Sequence, residues 1–177
     1  RSDMFDDTGL EWVNPSPNMR SLTQALLYPG VGLLETTNLS VGRGTDTPFE
    51  RVGAPWIDGR VLAQALNAAR LPGVRFVPLT FTPDASKFRG ERCGGVSLII
   101  TRRSEFHPLR TGLTIAGELR RKYKEQWQAD GFLRLLANVG VHAAVLAGKH
   151  VDEIEVLAEP EFQRYRRRRA RYLLYDD

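Results

Sequence analysis

The sequence predicts an α+β domain: a small mixed sheet with flanking helices and a helical C-terminal tail. Three observations predict it. Two stretches read as strands, residues 74–82 by imperfect alternation and residues 95–103 by a nearly continuous apolar run. From about residue 108 onward the apolar residues recur at helical spacing. The order, an irregular lead-in, a helix, strands with one helix between them and then helices to the end, segregates the two element types rather than alternating them.

Taken in order, residues 1–19 contain Gly9, Pro15, Pro17, Asn14 and Asn18 with little periodicity, and read as an irregular lead-in. Ser16 or Asn18 is placed to cap a helix reaching about Leu27, with Leu22 and Leu26 on its apolar face and Pro29-Gly30 ending it. Residues 30–56 hold five glycines and two prolines among small polar residues, so they read as loop, with a short strand over residues 49–52. Asp58 caps a helix to about Arg70, in which Val61, Leu62, Ala65, Leu66 and Ala69 recur at helical spacing. Leu71-Pro72-Gly73 turns the chain into the 74–82 strand. Pro78 has no N–H to give a neighbour, which puts that strand at an edge or a bulge, whereas the 95–103 run reads as central. Separate helices are expected over residues 108–124, 131–137, 141–147, 151–157 and 161–173.

Composition bounds the function classes. At 177 residues, 42% apolar and 26% charged, the chain is long enough to bury one core. Its net charge is +4, but residues 160–177 hold six arginines against three acids, which leaves the first 159 residues at +1. Any attraction to nucleic acid or an anionic membrane therefore attaches to that one stretch. There Phe162, Tyr165, Tyr172 and Leu173 fall near one face and Glu161 can pair with Arg164, so it reads as a solvated amphipathic helix docked on the domain. Nucleic-acid binding through residues 164–171 is the weaker reading, because no aromatic stacking platform accompanies the arginines. No apolar run is long enough to cross a membrane. The single Cys93 reads as a small buried hydrophobe, and His107, His142 and His150 are too scattered for a metal site. Neither Gly30/Gly32 nor Gly42/Gly44 completes a dinucleotide fingerprint, and no phosphate-loop, zinc-protease or serine-hydrolase motif is present. No metal or cofactor is expected. The chain opens on Arg1 without a signal peptide and reads as a fragment or a processed form.

The residues that can carry chemistry gather in the glycine-rich segment. Glu35 follows Leu33-Leu34 and precedes Thr36-Thr37-Asn38, a setting suited to acid/base work, or to a loop cap or an arginine pair. Arg43 stands between two glycines, where a guanidinium is presented for bidentate binding of a carboxylate or phosphate, or braces the loop against Asp46. Trp56, after Ala54-Pro55, is either a core aromatic or a flat surface for a sugar or base.

Residues 14–19 (NPSPNM), 28–40 (YPGVGLLETTNLS), Gly42-Arg43-Gly44-Thr45, Pro48-Phe49 and Gly53-Ala54-Pro55-Trp56, with the terminal RYLLY of residues 171–175, resemble the bacterial NamZ-like exo-β-N-acetylmuramidases. The resemblance runs over essentially the whole chain and matches the C-terminal half of that family. It implies a glycoside hydrolase that releases N-acetylmuramic acid from the non-reducing end of peptidoglycan fragments, in the periplasm or secreted. It also implies a Rossmann-like N-terminal domain that this chain lacks, with the active site between the two. On this footing Glu35 is the catalytic candidate. Arg43 is the candidate grip on the lactyl carboxylate that distinguishes the muramic sugar. Asn18, Asn38, Ser40 and Thr45 are candidate hydrogen-bonding residues and Trp56 a cover for an apolar sugar face. Two positions depart from the family pattern: Thr36 replaces a frequent glycine, and Val41 replaces a frequent acid ahead of Gly42-Arg43-Gly44. The alternative from another class is a non-catalytic module that binds cell-wall glycan.

Overall fold

In the computed structural model, which describes residues 3–175, one three-stranded sheet is formed by β1 (Arg51–Ala54), β2 (Val74–Phe81) and β3 (Cys93–Ile100) in the order β1-β3-β2. The class is α+β, but the sheet is purely antiparallel rather than mixed. Its topology gives the reason. Helix α2 (Gly59–Ala68) carries the chain across from β1 to β2, which run the same way, and β3 then inserts between them. Each hydrogen-bonded pair is consequently antiparallel, with Val52 opposite Val96 and Phe76 opposite Leu98. The first strand also starts two residues later than its sequence suggests.

Pro78 lies on the edge strand β2, as its missing donor requires. The outward-facing backbone of that edge is partly covered. The Asn67 side chain of α2 accepts from Phe76 N–H at 3.0 Å and donates to Phe76 C=O at 2.7 Å. Asp58 caps α2 as expected, accepting from Arg60 N–H at 2.8 Å and Val61 N–H at 3.2 Å.

Helix α1 (Leu22–Val31) departs from expectation at both ends. Ser21, not Ser16 or Asn18, is its cap, accepting from Gln24 N–H at 3.2 Å. Ser16 and Met19 instead close a turn of their own, with Met19 N–H donating to Ser16 C=O at 3.0 Å. Pro29-Gly30 does not end the helix, which runs on into the 3-10 turn Gly32–Thr36. Gly30 is there for another reason. It meets α3 (Pro108–Lys122) backbone to backbone: a Cβ on Gly30 would lie 1.9 Å from Pro108 O, and one on Gly112 would lie 2.4 Å from Gly30 O.

A 3-10 turn over Asp130–Phe132 leads into α4 (Leu133–Leu136), α5 (Val139–Leu146) and α6 (Val151–Ala170). The two helices expected over residues 151–157 and 161–173 are one, continuous through Pro160. The proline withholds a donor from the carbonyl one turn back, at Val156. Both residues face solvent, where water can satisfy that carbonyl. The core joins both layers: Leu27 and Leu34, Leu62 and Leu66, Leu98, Ile115 and Leu119, Phe132 and Ile154 are fully buried in one cluster. Truncating one such leucine to alanine costs about 2–5 kcal/mol. Cys93 is fully buried too, which fits its reading as a small buried hydrophobe, and burial pushes its thiol up to about 11.

Only the first half of α6 docks. Val151 and Ile154 are buried, and Arg110 of α3 clamps the helix through ion pairs to Asp152 and Glu155. Its hydrogen bond holds the Asp152 carboxyl below the usual carboxylate range. Beyond Ala158 the expected docking does not occur: Phe162, Tyr165 and Tyr172 are 52%, 51% and 72% exposed. The Glu161–Arg164 pair does form, at 3.7 Å.

Candidate functional site

The site is built on the segment that links α1 to β1. The 3-10 turn Gly32–Thr36 presents Glu35 and is closed by Thr37, whose N–H and hydroxyl both donate to Leu34 C=O. Asn38 then spends its whole amide on backbone, donating to Gln126 C=O at 2.8 Å and accepting from Gln128 N–H at 2.7 Å. Ser40 exchanges two hydrogen bonds with Gly53 and so adds a one-residue strand to the outer edge of β1. Its buried hydroxyl accepts from Gly42 N–H at 3.3 Å.

The chain next makes a tight bend around Arg43. Gly42 and Gly44 adopt φ of +81° and +77°, the left-handed region open to glycine. Thr45 closes the bend, its hydroxyl donating to Gly42 C=O at 2.7 Å. Two other segments grip it from outside. Arg20 donates to the carbonyls of Thr45 and Asp46, at 3.0 Å each. The β2–β3 loop, residues 82–92, presses so close that a Cβ on Gly44 would lie 2.3 Å from Ala85 O. The result brings Glu35 and Arg43 together: the guanidinium donates to the carboxylate, and both side chains keep part of their surface in solvent, 23% for Glu35 and 40% for Arg43. Arg43 thus pairs with Glu35 and not with Asp46.

A third charged residue enters that sequence reading missed. Lys87, in the middle of the β2–β3 loop, donates from Nζ to Glu35 C=O at 2.5 Å. Ser86 and Phe88 on either side adopt φ of +66° and +58°, so this cation, like Arg43, is held between two left-handed residues. Outside glycine that conformation costs about 1–3 kcal/mol and persists where the surroundings impose it. The signal available in sequence was a lone lysine inside Pro83-Asp84-Ala85-Ser86-Lys87-Phe88-Arg89-Gly90, but nothing local ties it to a glutamate 52 positions earlier. Buried polar atoms without a protein partner also collect here. Thr36 Oγ1 and Thr47 Oγ1 belong to this segment, Arg51 Nε to the first residue of β1 that follows it, and Trp127 Nε1 to the residue between the two that hold Asn38.

The remaining candidates sit further out. Asn18 is on the Ser16–Met19 turn, its N–H held by Ser16 Oγ at 3.1 Å, two residues before Arg20. Trp56, just past β1, packs its half-buried ring on Tyr123 with 5.5 Å between centroids. Chemically, the arrangement offers one carboxylate and two cations on a rigid, solvent-facing ledge, suited to holding an anionic ligand group beside a carboxyl.

A family model described as exo-β-N-acetylmuramidase NamZ, C-terminal, matches residues 26–175. The peptidoglycan β-N-acetylmuramidase NamZ of Bacillus subtilis (strain 168) is 39% identical over 174 residues, which cover 97% of this chain and 42% of that protein. Crystal structures of two DUF1343 family proteins from Bacteroides fragilis NCTC 9343 share the fold. Their TM-scores are 0.76 and 0.70, both at 25% identity, over 99% and 93% of this chain. The chain spans 48% and 44% of their lengths, so it corresponds to less than half of each of these relatives.

Proposed function

The chain belongs to the NamZ exo-β-N-acetylmuramidase C-terminal family, and on that premise we propose that it forms one wall of a substrate cleft. The enzyme is a glycoside hydrolase that releases N-acetylmuramic acid from the non-reducing end of peptidoglycan fragments. The observation that carries this reading is the Glu35–Arg43 pair on its clamped, half-exposed loop.

The muramic sugar differs from N-acetylglucosamine by a lactyl ether with a carboxylate. Arg43 meets that carboxylate as a planar fork, exchanging the Glu35 carboxylate for that of the substrate. Glu35, released from its partner, then serves the glycosidic bond. Hydrolysis of such a bond uses two carboxyl groups about 5–10 Å apart. Glu35 supplies one, and the half of the relatives that this chain does not span, an N-terminal Rossmann-like domain, supplies the other. Lys87 positions Glu35 through its backbone carbonyl. Asn38 and Ser40 are framework for this ledge, while Thr45, Asn18 and Trp56 border the sugar. The chemistry runs on acid/base groups without a cofactor, and we assign the enzyme to the periplasm or the outside of the cell, where a peptidoglycan substrate is met.

The test reconstitutes the chain with its N-terminal half and follows turnover of a chromogenic muramic acid glycoside. Arg43→Ala is expected to lower kcat/KM about 100-fold on the muramic substrate and far less on a glucosamine glycoside. Equal losses on the two would assign Arg43 to folding alone. Glu35→Gln is expected to remove about 10²–10⁴-fold of kcat with little change in KM. Full activity of the chain by itself would overturn the shared cleft, and saturable muropeptide binding without turnover would make the chain a binding module.

A further inference from the structure

Helix α6 carries one apolar stripe, and only half of it is covered. Val151, Ile154 and Ala158 occupy the stripe where it packs on the body. At helical spacing it continues through Phe162 and Tyr165, and Tyr172 follows just past the helix end, all in solvent. Beside the covered half runs a groove of 490 Å³ between α3 and α6, with Leu109, Leu113, Ala158 and Phe162 in its walls together with Glu159 and with Glu155, which Arg110 pairs inside the same groove.

Charge along α6 is divided in the same way. Asp152, Glu153, Glu155 and Glu159 fall before its midpoint and Glu161 just past it, followed by Arg164, Arg166, Arg167, Arg168 and Arg169. Five residues share the groove-side face: Glu155, Glu159, Phe162, Arg166 and Arg169, spaced by steps of four, three, four and three. Phe162 is their centre, and Arg166 already lies over its ring, 5.6 Å from the centroid. A two-fold axis at Phe162 places Glu155 opposite Arg169 and Glu159 near Arg166, each contact made twice. Such self-complementarity is what an isologous interface requires. A polyanion would satisfy the arginines but would leave the groove empty and meet the acids.

We propose that two copies of this chain pair antiparallel through α6, the aromatic and arginine-bearing arm of each lying in the α3–α6 groove of the other. Apolar seating supplies the contact area, and the crossed charges fix direction and register.

Light scattering on the chain at tens of micromolar is expected to give twice the 19.9 kDa monomer mass. Glu159→Arg and Arg166→Glu, each alone, turn both symmetry-related contacts into like-charge pairs and are expected to weaken self-association about 100-fold. Both side chains are exposed, so the melting temperature of each variant monomer is expected to stay unchanged. Mixing the two variants restores opposite charges at both contacts and is expected to recover a one-to-one dimer. A monomeric wild-type chain, or a mixture that stays monomeric, would overturn the proposal. So would a dimeric chain whose full-length protein is monomeric, because the N-terminal half would then be what covers the stripe.

Discussion

At the scale of single residues, the site depends on backbone conformations that most side chains avoid. Gly44 combines φ of +77° with direct contact against the Ala85 carbonyl. Gly44→Ala is expected to cost about 1–3 kcal/mol in a denaturation experiment and to lower turnover further, because Arg43 moves with its loop. Glu35 and Arg43 were both legible as residue types, each with two roles open. Their mutual pairing was not, since seven intervening residues and a tight bend bring them together. Lys87 was invisible for the same reason at greater length: it reaches Glu35 through a hairpin loop whose path depends on how β2 and β3 pair.

At the scale of elements, the edge of the sheet depends on one side chain. Asn67→Ala would expose the backbone N–H and C=O of Phe76 beside an apolar helix. It is expected to destabilise the domain by about 1–3 kcal/mol, read from urea midpoints at unchanged slope. The alternation and apolar run that marked β2 and β3 were reliable because each is set by burial of one or both faces. The proline signals were less so. Pro78 did mark an edge, but Pro29 and Pro160 lie within helices, on exposed positions where a missing donor is a smaller penalty than breaking the packed face beneath. Cap selection failed at Ser16 and Asn18 because a local turn had already claimed them.

At the scale of the whole molecule, the chain divides into a packed body and an arm. Among the described residues every fully buried large side chain precedes Pro160, while six of the arginines follow it. Removing residues 164–177 is therefore expected to leave the melting temperature of dilute protein within a few degrees while abolishing self-association, as followed by calorimetry and light scattering. The sequence placed the charge correctly on this stretch. It misplaced its docking, because an apolar stripe states what must be covered without naming the cover. One contact in the body bears on how such a molecule can change over generations. Where Gly30 and Gly112 touch, there is no side chain to exchange for a similar one, so this crossing admits no gradual repacking. The surrounding positions can drift, and the two Bacteroides proteins at 25% identity show how far the sequence can diverge with the fold retained. A contact made only of backbone thus leaves substitution nothing to work on, five residues ahead of Glu35, the carboxylate proposed to act on the glycosidic bond.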